Sequence, residues 1–244
     1  MSIKIVLLSL ALCTFEIVTA QSEQDTIKKI TLEQVEIAGE KATITRLPQT
    51  TDAFIWAGKK NEVINLESTD ANIAEKSPRQ IFAKVPGVFV YDMDGSGNQI
   101  NISTRGLDPH RGWEFNIRKN GIITNTDLYG YPASHFTLPM EAVERIELVR
   151  GTGALQYGQQ FGGMLNYVLK QPDTSRTIGL ETVNSIGSFG LLSTYNAIGG
   201  KVGKLEYYAY YSKRKSDGYR DNSQSDYEAQ SVTLIYTQIG RAHV

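Results

Sequence analysis

The sequence predicts an α+β domain with a small mixed sheet and short helices, followed by about four long antiparallel strands. Two strand-like runs, residues 144–149 and 164–169, flank a glycine-rich segment. A compact helix signal begins at Ser77. After Pro172 the chain becomes a series of strands of about 8–12 residues, joined by alternately short and long connections.

Composition excludes several classes of function. The chain has 244 residues, of which 41% are hydrophobic and 21% charged, as in ordinary globular proteins. Its formal net charge of −1 gives no basic footprint, so nucleic acid is not an expected partner. Cys13 is the only cysteine, which excludes an internal disulfide and a cysteine metal site. No apolar run reaches the roughly 18 residues that a spanning helix requires.

Residues 1–20 have the pattern of a secretory signal peptide. Lys4 supplies the positive start, residues 5–12 the apolar core, and Val18-Thr19-Ala20 a cleavage site with small residues. The alternative is an ordinary buried N-terminal strand. Leu12 before Cys13 is not small, so no lipid anchor is expected.

The run at 144–149 is predicted to be a half-buried strand. Its Ile146 and Leu148 alternate with charged residues. Five glycines follow between residues 151 and 163, so the backbone there turns sharply or passes close to other backbone. The first two are not a dinucleotide fingerprint, because the third glycine of that pattern falls on Gln156.

A short helix of about two turns is predicted before residue 86. Ser77 and Gln80 form a capping box, and Pro78 suits the first helical position. Pro86-Gly87 ends the helix, and residues 88–91 form a strand.

Residues 92–98 begin like a calcium loop, but the twelfth position is Ser103 instead of glutamate. A turn between two strands is therefore the favoured interpretation, and the second strand, 99–104, ends at Arg105. Further on, Asn120-Gly121 predicts a tight hairpin turn.

These elements, in this order, resemble the plug domain of TonB-dependent outer-membrane receptors. The resemblance covers residues 31–238 and is strongest from 77 to 170. Thr104 and Asn120 depart from the family pattern, which usually has an apolar residue and an aspartate at those places. The matching motifs are Val85-Pro86-Gly87-Val88-Phe89-Val90, Ile146-Glu147-Leu148-Val149-Arg150-Gly151, Tyr157-Gly158 and Gly162-Gly163-Met164-Leu165-Asn166.

The resemblance implies a plug domain at 61–172, followed at 173–238 by the first strands of a transmembrane β-barrel of about 22 strands. Four strands cannot close a barrel, so the chain is expected to be a truncated N-terminal fragment. The last residues, 239–244, are expected to be a non-native tail. A soluble β-meander would show similar strands, but the preceding plug pattern favours the membrane.

Three short segments most resemble the ferric-dicitrate-type receptors: Tyr129-Gly130-Tyr131-Pro132, Leu138-Pro139-Met140 and Tyr157-Gly158-Gln159. The implied function is active uptake of a ferric chelate across the outer membrane of a Gram-negative bacterium, without catalysis and without a cofactor. The alternatives are import of another ligand, such as a glycan or cobalamin, and a secreted β-rich binding or adhesion module.

Residues 21–60 are interpreted as a TonB box and a linker. An isolated strand-like run within them is suited to strand addition by another protein, and in the resembled family the protein TonB captures such a run. The alternative is an ordinary edge strand. The run consists of Leu32, Glu33, Gln34, Val35, Glu36 and Ile37.

The resemblance also implies a latch between plug and barrel. Arg105 and Arg150 each precede a glycine at the end of a strand, and in the family such arginines pair with glutamates on the barrel wall. Glu147, from the same motif as Arg150, is included in this latch. The alternative is a pair of ordinary surface arginines.

Two predicted loops, 107–113 and 124–136, are expected to face outside and to contact the ligand. Aromatic and cationic side chains there suit a chelate that bears carboxylates. The candidates are His110, Arg111, Trp113, Tyr129 and Tyr131, and no metal ligands are predicted among them.

The final strands are predicted at 177–186, 191–198, 205–214 and 227–238. In the third, the residues Leu205, Tyr207, Ala209 and Tyr211 share one face, and Glu206, Tyr208, Tyr210 and Ser212 share the other. Outward apolar and inward polar residues are typical of an outer-membrane barrel.

Overall fold

A six-stranded mixed sheet forms the centre of the domain that precedes residue 170. In the computed structural model the described residues are 44–47, 50–51, 54–55, 61–69, 78–91, 101–124, 138–150, 156–158 and 161–237. All of them lie within one compact unit, Lys41–Val244.

The described part of the chain contains strands, one short α-helix and three 3-10 turns. The strands are β1 (Ile44–Arg46), β2 (Thr50–Thr51), β3 (Phe54–Ile55), β4 (Glu62–Asn65), β5 (Val88–Tyr91), β6 (Asn101–Thr104), β7 (Phe115–Lys119), β8 (Ile122–Ile123), β9 (Val143–Val149), β10 (Gly163–Leu169), β11 (Gly179–Gly187), β12 (Leu191–Val202), β13 (Leu205–Ser216) and β14 (Ser225–Tyr236). The helix α1 is Pro78–Ile81, and the 3-10 turns are Leu66–Ser68, His110–Gly112 and Met140–Ala142. None of the described helices is long and apolar enough to cross a bilayer.

The six strands are ordered β1-β4-β9-β10-β7-β8, and β10 and β7 are the parallel pair. This confirms the expected small mixed sheet. The prediction that β9 is half-buried was wrong. Ile146 and Leu148 lie in the main core, while Val149, on the opposite face, packs in a second cluster with Tyr157 and Met164. Both faces of β9 are therefore covered.

The predicted turn at Asn120-Gly121 is confirmed. Both residues have positive φ, 47° and 79°, as a two-residue hairpin turn between β7 and β8 requires. Asn120 also joins the hairpin to β10. Its backbone N–H donates to the Tyr167 carbonyl (2.9 Å), and its side-chain Oδ1 accepts from the Leu169 N–H (2.9 Å).

The helix begins at Pro78, as predicted, but has one α-helical turn instead of two. Phe82 and Val85 in the turns that follow are buried, and Gly87 adopts a positive φ of 72°. The strand predicted at 88–91 is β5, and it pairs antiparallel with β6. Ser77 and the predicted turn at 92–98 lie outside the described residues.

The last four strands form an antiparallel sheet in chain order, as predicted. Two of the strands are longer than expected: β12 runs to Val202 and β13 to Ser216, and only Gly203-Lys204 separates them. The predicted alternation holds in β13, where Tyr208 and Tyr210 are buried while Tyr211 is exposed. These two tyrosines belong to the same hydrophobic core as residues of β4, β7, β9 and β10.

Replacement of Gly163 by alanine is expected to destabilise the protein more than the same replacement at Gly106. Its φ is 115°, and an added Cβ would overlap the carbonyl oxygen of Val149 on the neighbouring strand. Gly106 provides a matched control, because its φ is also positive (75°) but nothing lies within 4 Å of an added Cβ.

We expect Gly106→Ala to cost about 1–2 kcal/mol of plug stability from backbone strain alone. Gly163→Ala should cost about 1–3 kcal/mol more, because β9 and β10 must separate to admit the methyl group. Protease resistance of the domain that precedes residue 170, measured during thermal denaturation, reports the difference. Equal losses in the two variants would show that the β9–β10 contact is not the constraint.

Candidate functional site

The candidate site is the end of the six-stranded sheet at which β7 and β10 begin, here called the loop end. The register pairs Gly163 with Phe115 and Met164 with Val149, so β9 also ends there. Since β8 runs antiparallel to β7, Thr124 lies opposite Ile117 and donates its N–H to that carbonyl (2.9 Å). The chain thus enters β7 from this end and returns toward it after β8.

Gly162 joins three segments at the loop end. Its N–H donates to the Glu114 carbonyl (2.6 Å), and its own carbonyl accepts a hydrogen bond from the Thr104 hydroxyl (3.1 Å). An added Cβ would lie 2.6 Å from the Glu114 oxygen, so the contact requires glycine. This junction brings the end of β6, and with it Arg105, to the loop end. Arg105 is exposed and has a left-handed φ of 58°.

Arg150 connects three parts of the plug. Its backbone N–H donates to Asn61 Oδ1 (3.0 Å), and its Nη1 donates to the Pro86 carbonyl (2.8 Å). Its Nη2 pairs with Glu62 Oε2 at 2.5 Å, and both side chains are largely buried, at 11% and 18% exposed. Arg150 therefore ties the end of β9 to the start of β4 and to the turn after α1.

Glu147 has its partners inside the plug. Its carboxylate accepts hydrogen bonds from Asn166 Nδ2 (2.9 Å) and Arg145 Nε (3.1 Å). Asn166 in turn accepts the Gly121 N–H (2.9 Å), which links β9, β10 and the β7–β8 hairpin. The latch between Arg105, Arg150, Glu147 and a barrel wall remains a prediction. What the structure adds is that Arg150 and Glu147 also hold the plug itself together.

The Tyr157-Gly158 motif is attached to β7 by two side chains. The Tyr157 carbonyl accepts hydrogen bonds from Asn116 Nδ2 (2.5 Å) and Arg118 Nη2 (3.1 Å). The Arg118 guanidinium also lies 4.8 Å from the centre of the Tyr157 ring. Burial raises the pKa of Tyr157 to about 12, although the positive charge of Arg118 opposes the shift. Burial likewise lowers the pKa of Arg118.

Two of the predicted ligand contacts form a pair on the surface near the loop end. The rings of His110 and Trp113 meet edge to face, with centroids 6.1 Å apart, and Trp113 is 51% exposed. The backbone N–H of His110 donates to Asp108 Oδ1 (2.9 Å), which fixes the start of the 3-10 turn. Arg111 belongs to the same turn. Tyr129, Tyr131, the predicted TonB-binding residues 32–37 and the signal peptide lie outside the described residues.

Sequence reasoning missed Glu62 and Arg118. Glu62 lies 88 residues from Arg150, and only the pairing of β4 with β9 brings the two together. No pattern of residues near Glu62 or Arg150 in the sequence predicts such a pairing. Arg118 stands in an alternating strand, but its partner Tyr157 comes from a segment 39 residues later. Among the described residues, no group of three or more His, Cys, Asp or Glu side chains could hold a metal ion.

Residues 59–164 match the protein family described as the TonB-dependent Receptor Plug Domain. The vitamin B12 transporter BtuB of Photobacterium profundum is 30% identical over 144 residues, covering 58% of this chain and 22% of that protein. The ferric enterobactin receptor PirA of Pseudomonas aeruginosa is 30% identical over 154 residues, covering 57% of this chain and 21% of that protein. The chain thus spans about a fifth of the length of these relatives.

Solved structures of a siderophore receptor and of a copper transporter share the fold. The siderophore receptor PirA from Pseudomonas aeruginosa superposes with a TM-score of 0.55 at 23% identity, covering 74% of this chain and 31% of that one. The copper transporter OprC gives a TM-score of 0.57 at 15% identity, covering 74% and 28%. The matched share extends beyond the plug, so it includes strands of the final sheet.

Arg150→Ala in the full-length receptor is expected to loosen the plug. The change removes the guanidinium that pairs with the Glu62 carboxylate and donates to the Pro86 carbonyl. We expect the free energy of unfolding of the plug to fall by about 2 kcal/mol. Glu62→Gln should show part of the same loss. The rate at which protease cleaves the plug measures both effects.

Arg176→Ala serves as the control, because its ion pair with Asp173 is long (3.5 Å) and its side chain is 72% exposed. Such a pair contributes little. An Arg150→Ala plug as resistant to protease as the control would contradict the structural role of Arg150.

Proposed function

We propose that this chain, which carries a TonB-dependent receptor plug domain at residues 59–164, is part of an outer-membrane importer of a ferric chelate. The ligand binds at the loop end of the plug, and the protein TonB supplies the energy for import through residues 32–37. The reaction is binding and transport, without bond making or breaking in the ligand.

The His110–Trp113 pair, with its exposed indole, is the observation that carries the choice of ligand site. A half-exposed indole offers a flat apolar face, and the neighbouring imidazole offers a hydrogen bond, which together suit a chelate built on aromatic rings or carboxylates. Arg105 is exposed at the same end of the sheet, and its permanent positive charge favours an anionic ligand. The relative PirA, a ferric enterobactin receptor, supports the same class.

Cobalamin is the second candidate ligand. The vitamin B12 transporter BtuB is as similar to this chain as PirA is, at 30% identity. The same exposed indole would also stack on the flat ring system of a corrin. The two ligands differ in charge, so Arg105 favours the anionic ferric chelate.

The order of strands suggests how a pull from TonB reaches the plug. Residues 32–37 precede β1, β1 lies at the edge of the sheet against β4, and β4 lies against β9. A force on the N-terminal segment would therefore separate β1 first and β4 next. Removal of β4 takes Glu62 away from Arg150, so this ion pair must break before β9 is disturbed. Such a two-state contact can hold the plug closed until TonB acts.

Deletion of residues 32–37 from the full-length receptor is expected to abolish uptake while ligand binding persists. The segment contributes to capture by TonB and not to the loop end, so the two activities should separate. The assay uses iron-starved cells that lack other receptors and supplies a ferric chelate that contains radioactive iron. Radioactivity on cells without metabolic energy measures binding, and energy-dependent radioactivity measures uptake.

Deletion of residues 23–28, a polar stretch of equal length, is the matched control and should leave uptake intact. Undiminished uptake after deletion of 32–37 would refute the assignment of the TonB segment. Energy-dependent uptake of radioactive cobalamin, with none of the iron chelates taken up, would replace the proposed ligand with the second candidate.

A further inference from the structure

Two exposed aromatic side chains, Phe161 and Trp113, flank the same backbone hydrogen bond at the loop end. Phe161 precedes Gly162 and Trp113 precedes Glu114, and the Gly162 N–H donates to the Glu114 carbonyl (2.6 Å). Phe161 is 83% exposed, which makes it the most exposed large apolar side chain among the described residues before residue 170. The loop end thus presents one aromatic side chain to solvent just before each of its two parallel strands.

The backbone that carries these two side chains is already ordered. The Gly162 carbonyl accepts a hydrogen bond from the Thr104 hydroxyl (3.1 Å), and the ring of the fully buried Phe115 packs against Gly162. The Trp113 N–H donates to the His110 carbonyl (3.2 Å). Because these contacts fix the backbone before a ligand arrives, binding to the two rings costs less conformational entropy than binding to a free loop.

The two side chains start close together, but their rings do not meet. The path through the Gly162–Glu114 hydrogen bond places the Phe161 and Trp113 Cα atoms at most about 11 Å apart. Among the described residues, the Trp113 ring contacts that of His110, and the Phe161 ring contacts no other aromatic ring. A ring held between two others needs about 9–14 Å between their centroids, twice the spacing of an aromatic pair. Phe161 and Trp113 can therefore receive one flat ring of a ligand between them.

A positive charge lies next to this pair of rings. Arg105 directly follows Thr104, whose hydroxyl binds Gly162, and Arg105 is exposed with a left-handed φ of 58°. It forms no ion pair with any residue that the structure describes. An unpaired guanidinium beside two aromatic faces suits a flat ring that bears anionic oxygens. Catecholates and phenolates have such a ring, whereas hydroxamates and aliphatic carboxylates have none.

We propose that Phe161 and Trp113 hold an aromatic iron-binding ring between them, so that the imported chelate is a catecholate or phenolate complex of iron. This inference rests on the proposed function, because it narrows the class of ligand for the same loop end. It makes Phe161 a specificity-determining residue, and it departs from the ferric-dicitrate class that three short segments of the sequence resemble.

The test compares two synthetic ferric chelates on one scaffold, which bind iron through three catecholates or through three hydroxamates. Each carries radioactive iron, and its affinity for the full-length receptor is measured on cells without metabolic energy. Phe161→Leu keeps an apolar side chain and the local charge but removes the flat face. It should weaken binding of the tris-catecholate about fivefold and of the tris-hydroxamate by less than about twofold. Trp113→Leu should change the two affinities in the same direction.

Tyr236→Leu is the matched control. Tyr236 is 64% exposed and lies opposite Leu205, beside the β12–β13 turn and on the face of the sheet turned away from the core. This variant should bind both chelates as the wild type does. The melting temperature of each variant is measured as well, and Phe161→Leu should leave it unchanged because the side chain is exposed.

An unchanged ratio of the two affinities in Phe161→Leu would overturn the proposal. A lower melting temperature with that ratio unchanged would also reject it, because Phe161 would then be a packing residue. A wild-type receptor that binds the tris-hydroxamate as tightly as the tris-catecholate would refute the ligand class and leave the import of ferric chelates in place. A receptor that binds cobalamin and neither chelate would refute the proposed function as well.

Discussion

Burial of the plug against the first strands of the final sheet is the interaction on which the rest of the structure depends. Tyr195 and Tyr208 project from β12 and β13 into the same hydrophobic core as Ile146 and Leu148 of β9. The two tyrosine hydroxyls hydrogen-bond to each other (2.7 Å), so their burial leaves no polar penalty at that point. Apolar burial is strong but has no preferred direction. Polar contacts must therefore determine the position of the plug and permit its release.

Those polar contacts are distributed unevenly between the two ends of the sheet. At the loop end, Arg150 and Gly162 each join segments distant in sequence through two or more hydrogen bonds. At the opposite end, cavities replace packing, and a single ion pair, Lys170–Glu181, crosses them in the described part of the chain. The plug is thus firmly held where the ligand is proposed to bind and loosely packed where the chain enters the final sheet.

Local patterns were sufficient for the parts of the fold that local chemistry determines. The start of α1 at Pro78 and the turn at Asn120-Gly121 follow from backbone preferences, and alternation identified the two faces of β13. The environment of β9 was mispredicted, because Tyr157 covers its second face and comes from a separate segment. Likewise, Lys170 and Glu181 are only 11 residues apart, yet their contact depends on how β11 turns back over the plug. The roles of residues 32–37, Tyr129 and Tyr131 remain predictions.

Opening of the plug by TonB is the central claim, and thiol labelling at Ala142 tests it most directly. Ala142 is fully buried in the shared core, and the sequence has no cysteine other than Cys13, within the predicted signal peptide. In cells that express full-length Ala142→Cys, we expect a water-soluble maleimide to label this position only when both the ferric chelate and TonB are present. Equal labelling without TonB, or no labelling during active uptake, would contradict a plug that TonB opens during transport.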